Sequence, residues 1–233
     1  MLVRLRFSKT GKLRWTSARD LARIWERAFR RAGTPLVYTG GFSPRPKVSF
    51  GLALPTGAES RAEYLDVELS REFDIGSLPA ALSSVLPLGI DCTAAHLPTG
   101  SQSLQEQVTS CRWELEVEGV PAAEVANAVK RALAADSIPV VRQRKSRDVS
   151  DDLKPAIVSL EAASLGPNLS RVDAVLHTQP RGVRPSELVR ALGGDLELVR
   201  STRTHQWIER DGARREPIPL DATDPRHALE RVS

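Results

Sequence analysis

Cysteine is almost missing from this sequence: Cys92 and Cys111 are the only two in 233 residues. A disulfide framework is thereby excluded, and a reducing cytoplasm is the expected setting. Neither thiol has a partner at ligand spacing, and His96, His177, His205 and His227 are scattered. No metal site and no cofactor is therefore expected. No run approaches eighteen apolar residues, so no membrane span is expected. The opening MLVRLRFSKTGKLRW lacks the apolar h-region of a secretory leader and reads as a strand instead. There is no GxSxG elbow, no P-loop and no glycine fingerprint opening a helix after a strand in the first half. His205, near Arg203 and Trp207, is the one candidate general base for RNA cleavage, set against the plainer reading of a histidine on a strand. No catalytic centre of the chain's own is expected.

What is present is ordinary globular material, 41% apolar and 27% charged, in a length that suits two domains of roughly 100 residues. The net charge of +4 hides a strong asymmetry. Residues 1 to 50 carry twelve basic side chains against Asp20 and Glu26, which leaves the remainder at −6. A local field of that kind collects phosphate.

The periodicity of the first hundred residues runs strand, helix, two strands, helix, strand. Leu2 to Phe7 alternates with period two. Ser17, with Asp20 three residues on, opens a helix whose Leu21, Ile24, Trp25, Ala28 and Phe29 recur at helical spacing until Gly33-Thr34-Pro35. Extended stretches follow from Leu36, over Lys47 to Leu54 and over Tyr64 to Leu69, then a helix from Ser77 to Leu86 and a strand from Gly89 to His96. Pro98 to Ser103 reads as a boundary. After it come strands at Trp113 to Val117, Val140 to Lys145, Ile157 to Ala162 and Val172 to His177. Helices at Pro121 to Ala135 and from Pro185, and a last strand from Leu196 to Ile208, complete a second copy. The expected architecture is α+β, two tandem ferredoxin-like (βαββαβ) domains with antiparallel sheets, over 1–100 and 109–210, with a loose tail at 211–233.

Two features point to nucleic acid. Arg19, Arg23, Arg27 and Arg30 fall on one face of the first helix, read either as a solvated helix face or, with Arg4, Arg6, Lys12 and Arg14 in the same half, as a guanidinium row that follows a phosphate backbone. Gly40-Gly41-Phe42-Ser43-Pro44-Arg45-Pro46-Lys47 joins backbone amides, two cations and an aromatic. The loop has two readings: Phe42 stacks on a base while Arg45 and Lys47 hold phosphates, or Phe42 plugs the core of a rigid connection. A further basic cluster, Arg142, Arg144, Lys145, Arg147 and Lys154 among Asp148, Asp151 and Asp152, reads either as a second contact surface or as a solvated hairpin end with internal ion pairs.

Leu13 to Leu21, Glu26 to Gly33, Gly41 to Lys47, Pro55-Thr56-Gly57-Ala58-Glu59-Ser60, Glu63 to Val67 and, more loosely, Asp152 to Ile157 carry a resemblance. The chain resembles the radical-SAM-linked protein family, an uncharacterised bacterial domain found fused or adjacent to a B12-binding radical SAM protein. The resemblance implies such a protein as partner and a role in RNA modification or substrate presentation. The three-cysteine cluster motif of radical SAM enzymes is missing here, so that chemistry belongs to the partner. Histidines common in the family are replaced by Ala18 and Arg45, which puts in doubt a metal or acid–base role at those positions. The expected architecture is also similar to the RNA-processing endoribonucleases of CRISPR systems. The function read from all this is an RNA-binding accessory protein. The alternatives are a subunit that docks on a radical SAM enzyme without binding RNA, and an RNA-processing enzyme.

Overall fold

The computed structural model describes residues 1–100, 102–144, 147–210 and 212–218. The chain is a mixed α+β protein built on a mostly antiparallel sheet. Its first half consists of β1 (Leu2–Lys9), α1 (Ala18–Arg31), β2 (Val48–Phe50), β3 (Glu59–Glu68), α2 (Leu78–Ser83) and β4 (Ile90–His96). A short helix α3 (Leu104–Gln107) leads to β5 (Ser110–Glu118), α4 (Ala122–Ala134), β6 (Pro139–Arg144), β7 (Arg147–Asp152), β8 (Ile157–Gly166), β9 (Leu169–His177), α5 (Pro185–Leu192), β10 (Glu197–Arg210) and β11 (Ala213–Arg215).

One sheet runs through both halves in the order β4-β1-β3-β10-β5-β9-β8, with β2 added to β3 and β11 to β10. The first half is ordered β4-β1-β3-β2 and the second β10-β5-β9-β8, with antiparallel neighbours throughout each. The halves meet through a short parallel pairing of Thr202 and Arg203 with Glu59 and Ser60. β3 thus pairs with β2 near its end and with β10 at its start. In the second half, β6 and β7 form a separate two-stranded hairpin inserted before β8.

The helix α1 forms where its local signals put it. The Ser17 hydroxyl accepts from the Asp20 amide at 3.2 Å, capping the first turn. The helix ends as Gly33, at φ +64°, donates to Arg30 O at 3.2 Å and Thr34 to Phe29 O at 3.0 Å. Glycine adopts that left-handed backbone without a Cβ penalty, and Pro35 stops further turns. Leu21, Trp25, Ala28 and Phe29 are buried against Val3, Leu5 and Phe7 of β1 and Leu65 and Val67 of β3. Trp25 meets Phe7 edge-on at 5.0 Å and Phe29 at 5.4 Å.

The alternating face of β1 behaves differently from the sequence expectation. Arg4 and Arg6 do not join a solvent-facing basic surface; both are buried, as is Lys9. The reason is a second covering layer, from Leu104 of α3 and Ile218, which pack with Ala62 and Tyr64. Arg4 is neutralised by Asp66 in a two-pronged pair at 2.8 and 2.9 Å, and Arg6 faces Glu216 at 3.6 Å. Lys9 donates to the Thr16 and Arg14 carbonyls at 2.8 and 3.4 Å, tying down the 3-10 turn Gly11–Trp15. Of the expected loose tail, residues 213–215 pair with β10 and Glu216 to Ile218 are buried; positions 219–233 lie outside the described residues.

Burial sets the thiol chemistry. Burial, with the nearby Asp91 charge adding to it, pushes the Cys92 thiol up to about 12. Burial raises Cys111 to about 11 against the lowering pull of Arg203. At pH 8 Cys111 is expected to react with a thiol reagent about a hundredfold, and Cys92 about a thousandfold, more slowly in the native than in the unfolded chain, since the thiolate is the nucleophile. Stability follows the same sign. Above the unfolded thiol value of 9.0 the unfolded chain loses protons that the native chain retains. Stability is then expected to fall with rising pH by about 1.4 kcal/mol per unit for each thiol, up to its folded value. Urea midpoints measured from pH 8 to 11 check this.

Candidate nucleic-acid interface

On α1 the apolar stripe fixes which way the arginines point. With Leu21, Trp25 and Phe29 inward, Arg19, Arg23, Arg27 and Arg30 are all exposed, and Arg31 beside them. Arg23 makes a 3.5 Å contact with Asp20 across one turn; Arg19, Arg27 and Arg30 make no ion pair among the described residues. The helix therefore presents cations whose charge is directed to solvent.

The chain leaving α1 turns along the end of β3. Val37 donates to Glu68 O at 2.8 Å, and Leu36 and Tyr38 form bridges to Leu69 and Pro46. Thr39 and Arg45 close a neck: the Thr39 amide donates to Arg45 O at 2.8 Å, and the Arg45 amide to the Thr39 hydroxyl at 3.0 Å. Beyond that neck Phe42 is fully exposed. The core-plug reading of Phe42 is thereby overturned, because the loop stands off the sheet instead of folding over it. Arg45 is exposed too. Lys47 is exposed but pairs with Glu68 at 3.0 Å, and Arg14 is half-buried, 3.4 Å from Glu59 and 5.3 Å from the Trp15 ring centre.

A second feature, invisible in the sequence, lies where the halves join. Glu63 shares a face of β3 with Leu65 and Val67, under α1 and α2. It meets Arg203, which lies on the face of β10 toward Trp113, 5.4 Å from that ring. All four longer helix-bearing segments thus pack on one face of the sheet, and the Glu63–Arg203 pair marks the gap between the two groups. Its geometry is tight: Arg203 Nε to Glu63 Oε1 at 2.9 Å, and Nη2 to both carboxylate oxygens at 2.7 Å. The same Nη2 donates to Leu52 O at 2.9 Å. It thereby holds the 51–58 crossing, whose Leu52, Leu54 and Ala58 belong to the core of the second half.

Over this pair opens a cleft of about 650 Å³. Cys111, Trp113, Leu176 and Val183 give it apolar walls, residues 52–56 form one side, and His177, Arg184 and Ser186 stand at its polar border. A smaller depression of about 200 Å³ continues from it, sharing Pro55, Thr56, Arg184 and Ser186 and reaching Trp15 and Arg200. Trp15 is 64% exposed. Its ring is seated against Gly57, at φ +91°, where an added Cβ would lie 2.9 Å from the ring. The run Pro55 to Ser60, which carries a family resemblance in sequence, lies beside the cleft, with residues 55–58 lining it or its continuation.

The other sequence candidates fall elsewhere. His205 stacks on Trp207 with centres 4.8 Å apart and lies within 3.0 Å of the Thr204 hydroxyl; it does not line the cleft. In the second basic cluster, Arg142 pairs with Asp151 at 3.3 Å, and Lys154 donates to Ala132 O at 3.2 Å, engaging the last turn of α4. These contacts favour the hairpin reading with internal pairs. Lys145, and the side chains of Arg144 and Arg147, lie outside the described residues. No helix among the described residues is long and apolar enough to cross a membrane.

A basic helix and exposed aromatic loop on a two-part α+β sheet, with a cleft at the joint, define the class. The chain belongs to the family described as "Uncharacterized protein conserved in bacteria (DUF2344)", which matches residues 3–185. No curated protein matches the sequence. Among solved structures, the fold is similar to a chain in the crystal structure of a Cbf5-Nop10-Gar1 complex, with a TM-score of 0.50, 9% identity, 88% of this chain and 48% of that one. An H/ACA RNP bound to a substrate RNA containing 2'-deoxyuridine gives 0.49 at 9% identity, with 88% and 47% covered. The archaeal box H/ACA sRNP Nop10-Cbf5 complex gives 0.48 at 8% identity, again with 88% and 47% covered. The chain spans about half the length of each.

Proposed function

We propose that this chain is an RNA-binding accessory protein that serves radical-SAM-dependent RNA modification. Arg19, Arg23, Arg27 and Arg30 hold the phosphate backbone, Arg14, Arg45 and Lys47 add cations, and Phe42 stacks on a base. The observation that carries this reading is the outward arginine row on α1, with Arg19, Arg27 and Arg30 free of ion pairs among the described residues. The full exposure of Phe42 supports it, since a bare aromatic ring at a loop tip has a base as its natural cover. The repeated strand order supports reading each half as a ferredoxin-like unit.

Replacing Arg23, Arg27 and Arg45 together by Ala is expected to weaken binding to single-stranded RNA and to flatten its salt dependence. Each lost phosphate contact lowers the slope of log affinity against log salt by about 0.7, so three remove about 2. An unchanged affinity and slope would reject the assignment. The exposed Phe42 also suits the docking alternative, in which this face meets a B12-binding radical SAM protein directly. A pull-down after nuclease treatment separates the two: a partner retained without RNA supports docking, and one released with the RNA supports the RNA reading.

A further inference from the structure

The sequence candidates for RNA contact leave the cleft at the joint unused. Its volume of about 650 Å³ lies in the range of small-ligand sites, ~300–1,000 Å³, which combine apolar walls with a few convergent polar groups. The polar groups here have spare capacity. The side chains of Thr56, His177 and Ser186 make no hydrogen bond to the described residues, and Arg184 makes no ion pair with them. Glu187, the carboxylate on which Arg184 exerts its field, is already held by Arg181 at 3.0 Å.

The order of these surfaces along the groove decides what fits. The apolar cleft comes first. A border of Thr56, Arg184 and Ser186 follows, shared with the smaller depression, and the exposed ring of Trp15 closes the run. Apolar body, anion and aromatic body in succession is the repeat of a nucleotide chain, base, phosphate and next base.

We propose that the cleft seats one nucleotide unit, its base against Leu54, Leu176 and Val183 and its phosphate at Arg184, Thr56 and Ser186, with the neighbouring base on Trp15. This rests on the RNA-binding reading for the source of the nucleotide, not for the existence of the site. It gives the protein two contacts of different kind: a backbone track on α1 and a pocket at the joint for a single residue of the strand.

The test titrates the full chain calorimetrically with each of the four 5′-mononucleotides, with uridine and with inorganic phosphate, in parallel with single-stranded RNA. At least one mononucleotide is expected to bind, with uridine and phosphate at least about tenfold weaker, because each carries half of the recognition. Arg184→Ala is expected to weaken the mononucleotide about tenfold. Gly182→Trp fills the mouth of the cleft at a position where an added Cβ meets nothing within 4 Å; it is expected to abolish mononucleotide binding without changing the melting temperature. The Arg23, Arg27 and Arg45 variant is expected to keep mononucleotide binding.

RNA binding with no mononucleotide binding would overturn the cleft assignment and leave the RNA reading standing. Mononucleotide binding with no RNA binding would do the reverse. Equal binding by the Gly182→Trp protein would place the ligand elsewhere, and phosphate binding as tightly as any mononucleotide would reduce the site to an anion site; both overturn the proposal.

Discussion

Glu63→Ala is expected to destabilise the protein by about 3–5 kcal/mol, because it strands a buried guanidinium. Arg203 is 2% exposed and Glu63 6%, and the pair is joined by three contacts between 2.7 and 2.9 Å. Arginine has no neutral form to retreat into, so the whole cost of an unpaired charge falls on the native state. Removing both charges together is a different experiment. The double change Glu63→Met and Arg203→Met is expected to recover most of the loss, since a buried pair contributes far less than its rupture costs. Urea denaturation of the two variants distinguishes the cases; a single-mutant loss below about 1 kcal/mol would mean that the joint is hydrated. Arg203 also holds Leu52 O, so the 51–58 crossing is expected to lose amide-exchange protection before the rest of the sheet does.

How much of this was legible in the sequence depends on the range of the physics involved. α1 was, because Ser17, the Leu21-Trp25-Phe29 stripe and Gly33-Thr34-Pro35 all act within a turn or two of the helix. The strand β1 was legible from alternation and β10 as a long last extended stretch, and the β6–β7 hairpin was half legible through its mixed charges. The fate of Arg4 and Arg6 was not. Period two says that they share a face of β1, but not that Leu104 and Ile218, far along the chain, cover it. The parallel contact of β3 with β10, which turns two halves into one sheet, rests on two residue pairs and leaves no mark on hydropathy. The cleft was hidden for the same reason. Its walls come from residues 52–56, from Cys111 and Trp113, from residues 176–178 and 182–184, and from Ser186 and Arg203, and no window of sequence contains them together. Phe42 shows the complementary limit: the composition of its loop was clear, yet only the neck made by Thr39 and Arg45 decides that the ring points outward.

Trp25→Ala is expected to cost about 3–5 kcal/mol, and its effect on RNA binding separates scaffold from contact. Trp25 is wholly buried between Phe7 and Phe29, so truncation leaves a cavity that neighbouring strands cannot close. A 14-residue helix is marginal by itself, and α1 keeps its arginines aligned because this stripe is docked. The variant should therefore lose stability and RNA affinity together, with affinity recovering on cooling toward the temperature of maximum stability. The Arg23, Arg27 and Arg45 variant should lose affinity with its stability unchanged to within about 0.5 kcal/mol. Trp25→Phe supplies the control. The indole N–H of Trp25 is buried with no partner among the described residues, so the phenyl ring removes an unpaired donor while filling most of the space, and the two effects offset. Its cost is expected to stay below about 1.5 kcal/mol. A Trp25→Ala protein that binds RNA at full strength under conditions where it has lost its native helix docking would show that the arginine row is not the contact surface, whatever its charge.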